Sequence, residues 1–103
     1  MSYDVNRAVR TVKTGSPRDK AVLFLLADMA DDNGVAWPSI SRIAEYTELS
    51  RRSVDRAIRS LRETGLVLVE KVRRGERKHS NRYRINLSTI DRLSDDQRQS
   101  DAA

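Results

Sequence analysis

Apolar side chains recur along this chain with two periods, and the change of period divides it. Up to residue 65 they return every three or four positions, the spacing of one helix face; beyond it they alternate, the spacing of a half-buried strand. The broadest apolar stretch is AVLFLLADMA, residues 21–30. Leu23, Leu26, Ala27 and Ala30 make one stripe, Val22, Leu25 and Met29 widen it, and Phe24 stands at its edge. So wide an apolar surface predicts a central core helix. Ser16, Pro17 and Asp19 mark its start as a cap, a proline at the first helical position and an acid at capping-box spacing.

Residues 37–65, WPSISRIAEYTELSRRSVDRAIRSLRETG, predict two shorter elements joined by a tight turn. Ser39 caps the first helix, whose apolar side is Ile40, Ile43 and Ala44. Thr47, Glu48 and Leu49 form the turn, with Leu49 placed to fill the space between the helices. Ser50 caps the second helix, and Gly65 ends it because glycine tolerates a left-handed backbone there. Val54, Ala57, Ile58 and Leu61 share one face. At about 100° per residue, Arg52, Arg56 and Arg59 then point away from that face, with Arg51 and Arg62 on its flanks. A short helix, a turn and a longer helix with a basic outer face is the sequence form of a helix-turn-helix that reads duplex DNA.

The segments on either side complete the picture. Val5, Ala8, Val9 and Val12 predict a short helix over residues 4–13. Three placements fit it: packed on the domain, paired with a second subunit, or held as a loose arm. Its Arg7, Arg10 and Lys13 are either phosphate contacts or solvated charges. Asp31 to Gly34 form a polar turn without the spaced oxygens of a calcium loop. Val35, Ala36 and Trp37 predict a short strand, with Trp37 as a core plug beside Pro38 and nucleic-acid stacking as its alternative role. Leu66 to Val72 and residues 82–87 predict a hairpin, with Tyr83, Ile85 and Leu87 turned inward. Its tip carries Gly75 for the turn and the cations Arg73, Arg74, Arg77 and Lys78, which are suited to phosphates or a minor groove. His79 reads as a solvated tip residue or a weak phosphate contact. Ile90 and Leu93 are placed to anchor a last helical turn before a polar tail. The expected organisation is an arm or short helix over 1–15, a DNA-binding unit over 16–87, and a tail or linker over 88–103.

Charge strengthens this reading. The chain has 103 residues and a net charge of +5. Residues 42–84 hold thirteen Lys and Arg against six Asp and Glu, while the rest holds seven against nine. The positive charge is therefore concentrated in the segment that would face phosphates. Without cysteine, and with a single histidine, no thiolate or zinc ligand set exists, and no cofactor is expected. The absence of cysteine suits a reducing cytoplasm. No apolar run reaches the length of a membrane span, and no pattern for membrane contact is present. With no glycine-rich phosphate loop and no paired carboxylates in an apolar setting, an enzyme lacks its parts.

LLADMADDNGVAWPSISRIAEYTELSRRSVDRAIRSLRETGLV resembles the winged helix-turn-helix domain of phage and plasmid replication proteins, which is related to the one that opens GntR-type transcription factors. The resemblance rests on Leu26-Ala27-Asp28, Gly34, Trp37-Pro38-Ser39, Ile43-Ala44, Ser50-Arg51-Arg52-Ser53-Val54, Leu61 and Gly65-Leu66. Asn81 to Ile85 are similar to the family's closing wing strand. It covers roughly residues 16–87 and implies a mainly helical fold: a three-helix core with a small β-hairpin wing. It also implies that Arg51, Arg52 and Ser53 meet DNA, with Arg56 facing the groove. The expected DNA-binding set is Ser39, Ser50, Arg51, Arg52, Ser53, Arg56, Arg59, Arg73, Arg74, Arg77 and Lys78, with no catalytic or metal-binding residue. The expected partner is double-stranded DNA, engaged by a homodimer or by several copies on repeated sites, with replication or transcription proteins as further partners. An origin-binding or regulatory protein and a repressor at an operator both fit. A protein-interaction adaptor is the reading from another class.

Overall fold

Serine hydroxyls start three of the four helices in the computed structural model, which describes residues 3–71 and 81–90, with side chains from residue 6 onward. The elements run α1 (Tyr3–Thr11), α2 (Pro17–Met29), β1 (Val35–Ala36), α3 (Ile40–Thr47), α4 (Arg51–Glu63), β2 (Val67–Glu70) and β3 (Arg82–Ile85). Each capping oxygen accepts a backbone N–H three residues on: Ser16 from Asp19 at 3.4 Å, Ser39 from Arg42 at 3.1 Å, Ser50 from Ser53 at 3.0 Å. The reciprocal half of the capping box at Asp19 does not form. Its buried carboxylate accepts from Arg18 Nε at 2.9 Å, and the Ser16 N–H goes to Thr14 Oγ1 at 3.4 Å.

The far end of α4 closes as its glycine predicts. Gly65 has φ +82, its N–H bonds the Arg62 carbonyl at 3.1 Å, and the Leu66 N–H bonds the Leu61 carbonyl at 3.0 Å. Leu61 and Leu66 are both buried, which supplies the apolar contact of this helix ending. The turn between α3 and α4 passes through Glu48 in a left-handed conformation, φ 63. Thr47 secures it on both sides: its hydroxyl donates to the Ile43 carbonyl at 2.7 Å and accepts from the Leu49 N–H at 3.4 Å.

The three strands form one antiparallel sheet in the order β1-β3-β2, with Ala36 opposite Tyr83 and Val69 opposite Tyr83 on its other side. Asp31 builds the turn into β1; its carboxylate accepts the N–H groups of Asn33 and Val35 at 2.9 and 3.0 Å. Among the described residues no group of three potential metal ligands comes together. No helix of the described residues is long and apolar enough to cross a membrane.

Val22, Leu23, Leu26 and Ala27 of α2 meet Ile43 of α3, the apolar face of α4, and Tyr83 and Ile85 of the sheet in one core. Of the three placements open to α1, the first is the one found: Val9 and Val12 are fully buried in that core. Lys20 of α2 donates to the carbonyls of Arg10 and Val12, so a cation sits at the negative end of α1. Burial, and then the neighbouring Lys13, lower its pKa.

Two side chains depart from expectation. Trp37 is not a core plug. Strand pairing ends at Ala36, Pro38 is the buried residue at this corner, and the indole is 56% exposed. Leu87 does not continue the inward alternation of β3. Asn86 Oδ1 accepts the Thr89 N–H at 3.3 Å and turns residues 87–90 into a helical turn, which exposes Leu87 and buries Ile90. Leu93 lies outside the described residues.

Candidate nucleic-acid interface

Helix α4 separates its two sides cleanly. Val54, Ala57, Ile58 and Leu61 are buried, whereas Arg51, Arg52, Arg56, Arg59 and Arg62 are all exposed. Packing against α2 and α3 holds the apolar side, so the outward direction of the guanidinium groups is a rigid property of the core. The described ion pairs are Arg18 with Asp19 at 2.9 Å and Arg82 with Glu70 at 3.9 Å. None of the five α4 arginines is held by a described carboxylate, and no described element covers their side of the helix. Each has its planar fork of donors open to an external acceptor.

The start of α4 adds a second kind of donor. The N–H groups of its first turn have no intrahelical partner, and Ser50 satisfies only that of Ser53. The cap is also internally engaged, since the Ser50 hydroxyl donates to Ser53 Oγ at 3.0 Å. Ser39 Oγ likewise accepts from the Arg42 N–H. Hydroxyl protons on Ser39 and Ser53 therefore stay uncommitted among the described residues, while Ser50 contributes mainly by shaping the helix end. Backbone donors, the helix dipole and Arg51 and Arg52 together give this end the chemistry that suits an anion.

Beside α4, the hairpin strands β2 and β3 alternate as the sequence predicts at Tyr83 and Ile85, which are buried, and at Arg82 and Arg84, which are exposed. Asn81 Nδ2 donates to Tyr83 Oη at 3.5 Å. Burial raises the Tyr83 pKa above its ordinary value; the Asn81 bond works against this and the Asp55 charge adds to it. Arg82 and Arg84 form the polar side of β3, where Arg82 pairs with Glu70 of β2. The wing-tip candidates Arg73, Arg74, Arg77 and Lys78, with His79, lie outside the described residues.

Comparison with known proteins points the same way. A family model described as a helix-turn-helix domain matches residues 16–67. No curated protein sequence matches the chain. Among solved structures, it is similar to a possible transcriptional regulator from Methanosarcina mazei Go1, at 18% identity and a TM-score of 0.64, covering 96% of this chain and 78% of that one. A second transcriptional regulator is similar at 16% identity and a TM-score of 0.54, covering 94% and 69%. A MarR family transcription regulator is similar at 14% identity and a TM-score of 0.51, covering 96% and 62%. At these identities the likeness is one of fold: a helical core with a small antiparallel sheet, the winged helix-turn-helix.

Proposed function

The chain belongs to the helix-turn-helix domain family, matched over residues 16–67, and from that premise we propose that it regulates transcription by reading a specific duplex-DNA sequence with α4. The observation that carries this reading is the exposed row of arginines on α4, free of described carboxylate partners. Arg52, Arg56 and Arg59 enter the major groove, where a bidentate arginine–guanine pair discriminates by about 1–3 kcal/mol. Arg51, Ser53 and Ser39 hold the flanking phosphates, with Ser50 preserving the helix end that presents them. Arg73, Arg74, Arg77 and Lys78 extend the grip from the wing tip. The working unit is residues 16–87, with the short helix of 1–15 packed on its core and 88–103 as a tail or linker anchored at Ile90, acting in the cytoplasm without cofactor or catalysis.

Likeness in fold to transcriptional regulators favours a regulatory role, a repressor at an operator being its simplest form. Origin binding in phage- or plasmid-type replication would use the same surface. Two copies on half-sites about 34 Å apart would supply the affinity that one small module lacks. Selection of bound fragments from random DNA at moderate salt tests all of this together. One enriched palindromic site is expected, with the logarithm of affinity falling by about 0.9 per phosphate neutralised as the logarithm of salt concentration rises. Footprints repeated across an origin would favour replication over regulation. Absence of duplex binding even at low salt would leave a protein-interaction adaptor as the better reading.

A further inference from the structure

We infer that Trp37 and Arg42 form a second, sequence-independent contact to the duplex, gripping the sugar–phosphate backbone next to the groove that α4 enters; the inference rests on the DNA-binding reading above. A large apolar side chain exposed by 56% at a rigid position calls for a reason. Trp37 is rigid on both sides. The residue before it is paired with β3, and the residue after it is a buried proline that holds the Trp37 backbone extended. Trp37 and Arg42, with Met29 and Pro38, line a hollow of about 230 Å³. Arg42 is exposed and is in neither described ion pair, and it lies on the helix whose hydroxyl cap, Ser39, falls between the two residues in sequence.

The chemistry fits a backbone rather than a base. Indole offers one N–H donor and a broad apolar face, which matches a phosphate oxygen beside a deoxyribose. Arg42 supplies the charge. In helix-turn-helix proteins the helix ahead of the reading helix crosses the backbone, which puts this corner of α3 beside the phosphates when α4 lies in the groove. Charge along α3 also sets the limit of the contact. Tyr46 is 60% exposed one turn farther on, but it lies beside Glu45 and Glu48, which phosphates would repel. The N-terminal end of α3 therefore faces DNA and its C-terminal end does not.

Trp37 is the sole tryptophan, so its fluorescence reports this contact directly. The full chain is titrated with a labelled duplex carrying the selected site and with a random duplex, while anisotropy follows binding and acrylamide quenching follows indole exposure. Bound duplex is expected to lower the quenching constant about twofold or more on both DNAs, as burial of an exposed ring requires. Trp37→Phe is expected to weaken both complexes about tenfold, the worth of a lost hydrogen bond to a charged group. Arg42→Ala is expected to lower the salt slope by about 1. Both side chains are exposed, so an unchanged melting temperature serves as the folding control. Normal duplex binding with unchanged quenching and unaltered Trp37→Phe affinity would overturn the inference while leaving the DNA reading intact. Altered self-association of Trp37→Ala by sedimentation, with DNA affinity unchanged, would also overturn it and make the patch a surface between copies. Absence of anisotropy change on any duplex would remove the DNA reading itself.

Discussion

Helices α2 and α4 are each thirteen residues long, begin on a capping serine and pack against one another, yet they divide the labour of the fold. In α2 the apolar residues spread around most of the cylinder, and Val22, Leu23, Leu26 and Ala27 are buried on contacts to nearly every other element. In α4 the apolar stripe is narrow, and the rest of the surface carries five arginines to solvent. A helix packed against nearly every other element serves mainly to stabilise. A helix touched from one side has a face to spare for a partner, at the cost of gathering like charges that contribute nothing to its own folding.

The contrast breaks most visibly at Leu26. Leu26→Ala opens a cavity in the centre of the core and should cost about 2–5 kcal/mol of stability in urea denaturation, while the folded fraction keeps its DNA affinity. Arg56→Ala should do the reverse. Its stability stays within about 0.5 kcal/mol. Its affinity for the specific duplex falls by about 1–3 kcal/mol, much more than for random DNA. Equal loss on both DNAs would remove Arg56 from base reading.

The two capping serines sharpen the comparison because their structural roles are the same. Ser16→Ala and Ser50→Ala should each cost about 1 kcal/mol of stability. Of these two, only Ser50→Ala should also weaken DNA binding, since Ser50 shapes the helix end proposed to meet phosphates. If Ser16→Ala weakened binding as much, the effect would be one of folding.

The smallest effect is a pH dependence in the core that both helices cover. Tyr83 has a raised pKa through burial, so the folded state holds its proton more tightly than the unfolded state does. Its contribution is complete below the ordinary tyrosine value of about 10 and is lost as pH rises through the higher folded value. Lys20, whose pKa is lowered, acts in the opposite direction. Comparing denaturation of the wild type with Tyr83→Phe across the alkaline range isolates the tyrosine. The variant should lose less stability per unit of pH, and identical curves would contradict the assignment.

Much of the architecture was legible where a few neighbouring residues decide it. Ser39 and Ser50 start helices and Gly65 ends one because caps and left-handed turns are settled within about four residues. The apolar stripe of α4 likewise implied the direction of its arginines, since a helix has a known angle per residue. Other positions resisted. Glu48 occupies a left-handed turn position that a glycine or asparagine would have announced, and Thr47 holds it there. Asp19 had the spacing of a reciprocal cap, but the adjacent Arg18 claims its carboxylate.

Amino-acid order alone therefore specified the helix-turn-helix, the sheet that follows it and the sign of charge on the outer face, because periodicity and capping are local. Three-dimensional packing settled where α1 rests, why Leu87 is outside while Ile90 is inside, and that Trp37 stands in solvent beside Arg42. Those outcomes depend on which segments, far apart in the chain, compete for the same buried volume, and no short window of residues records that competition.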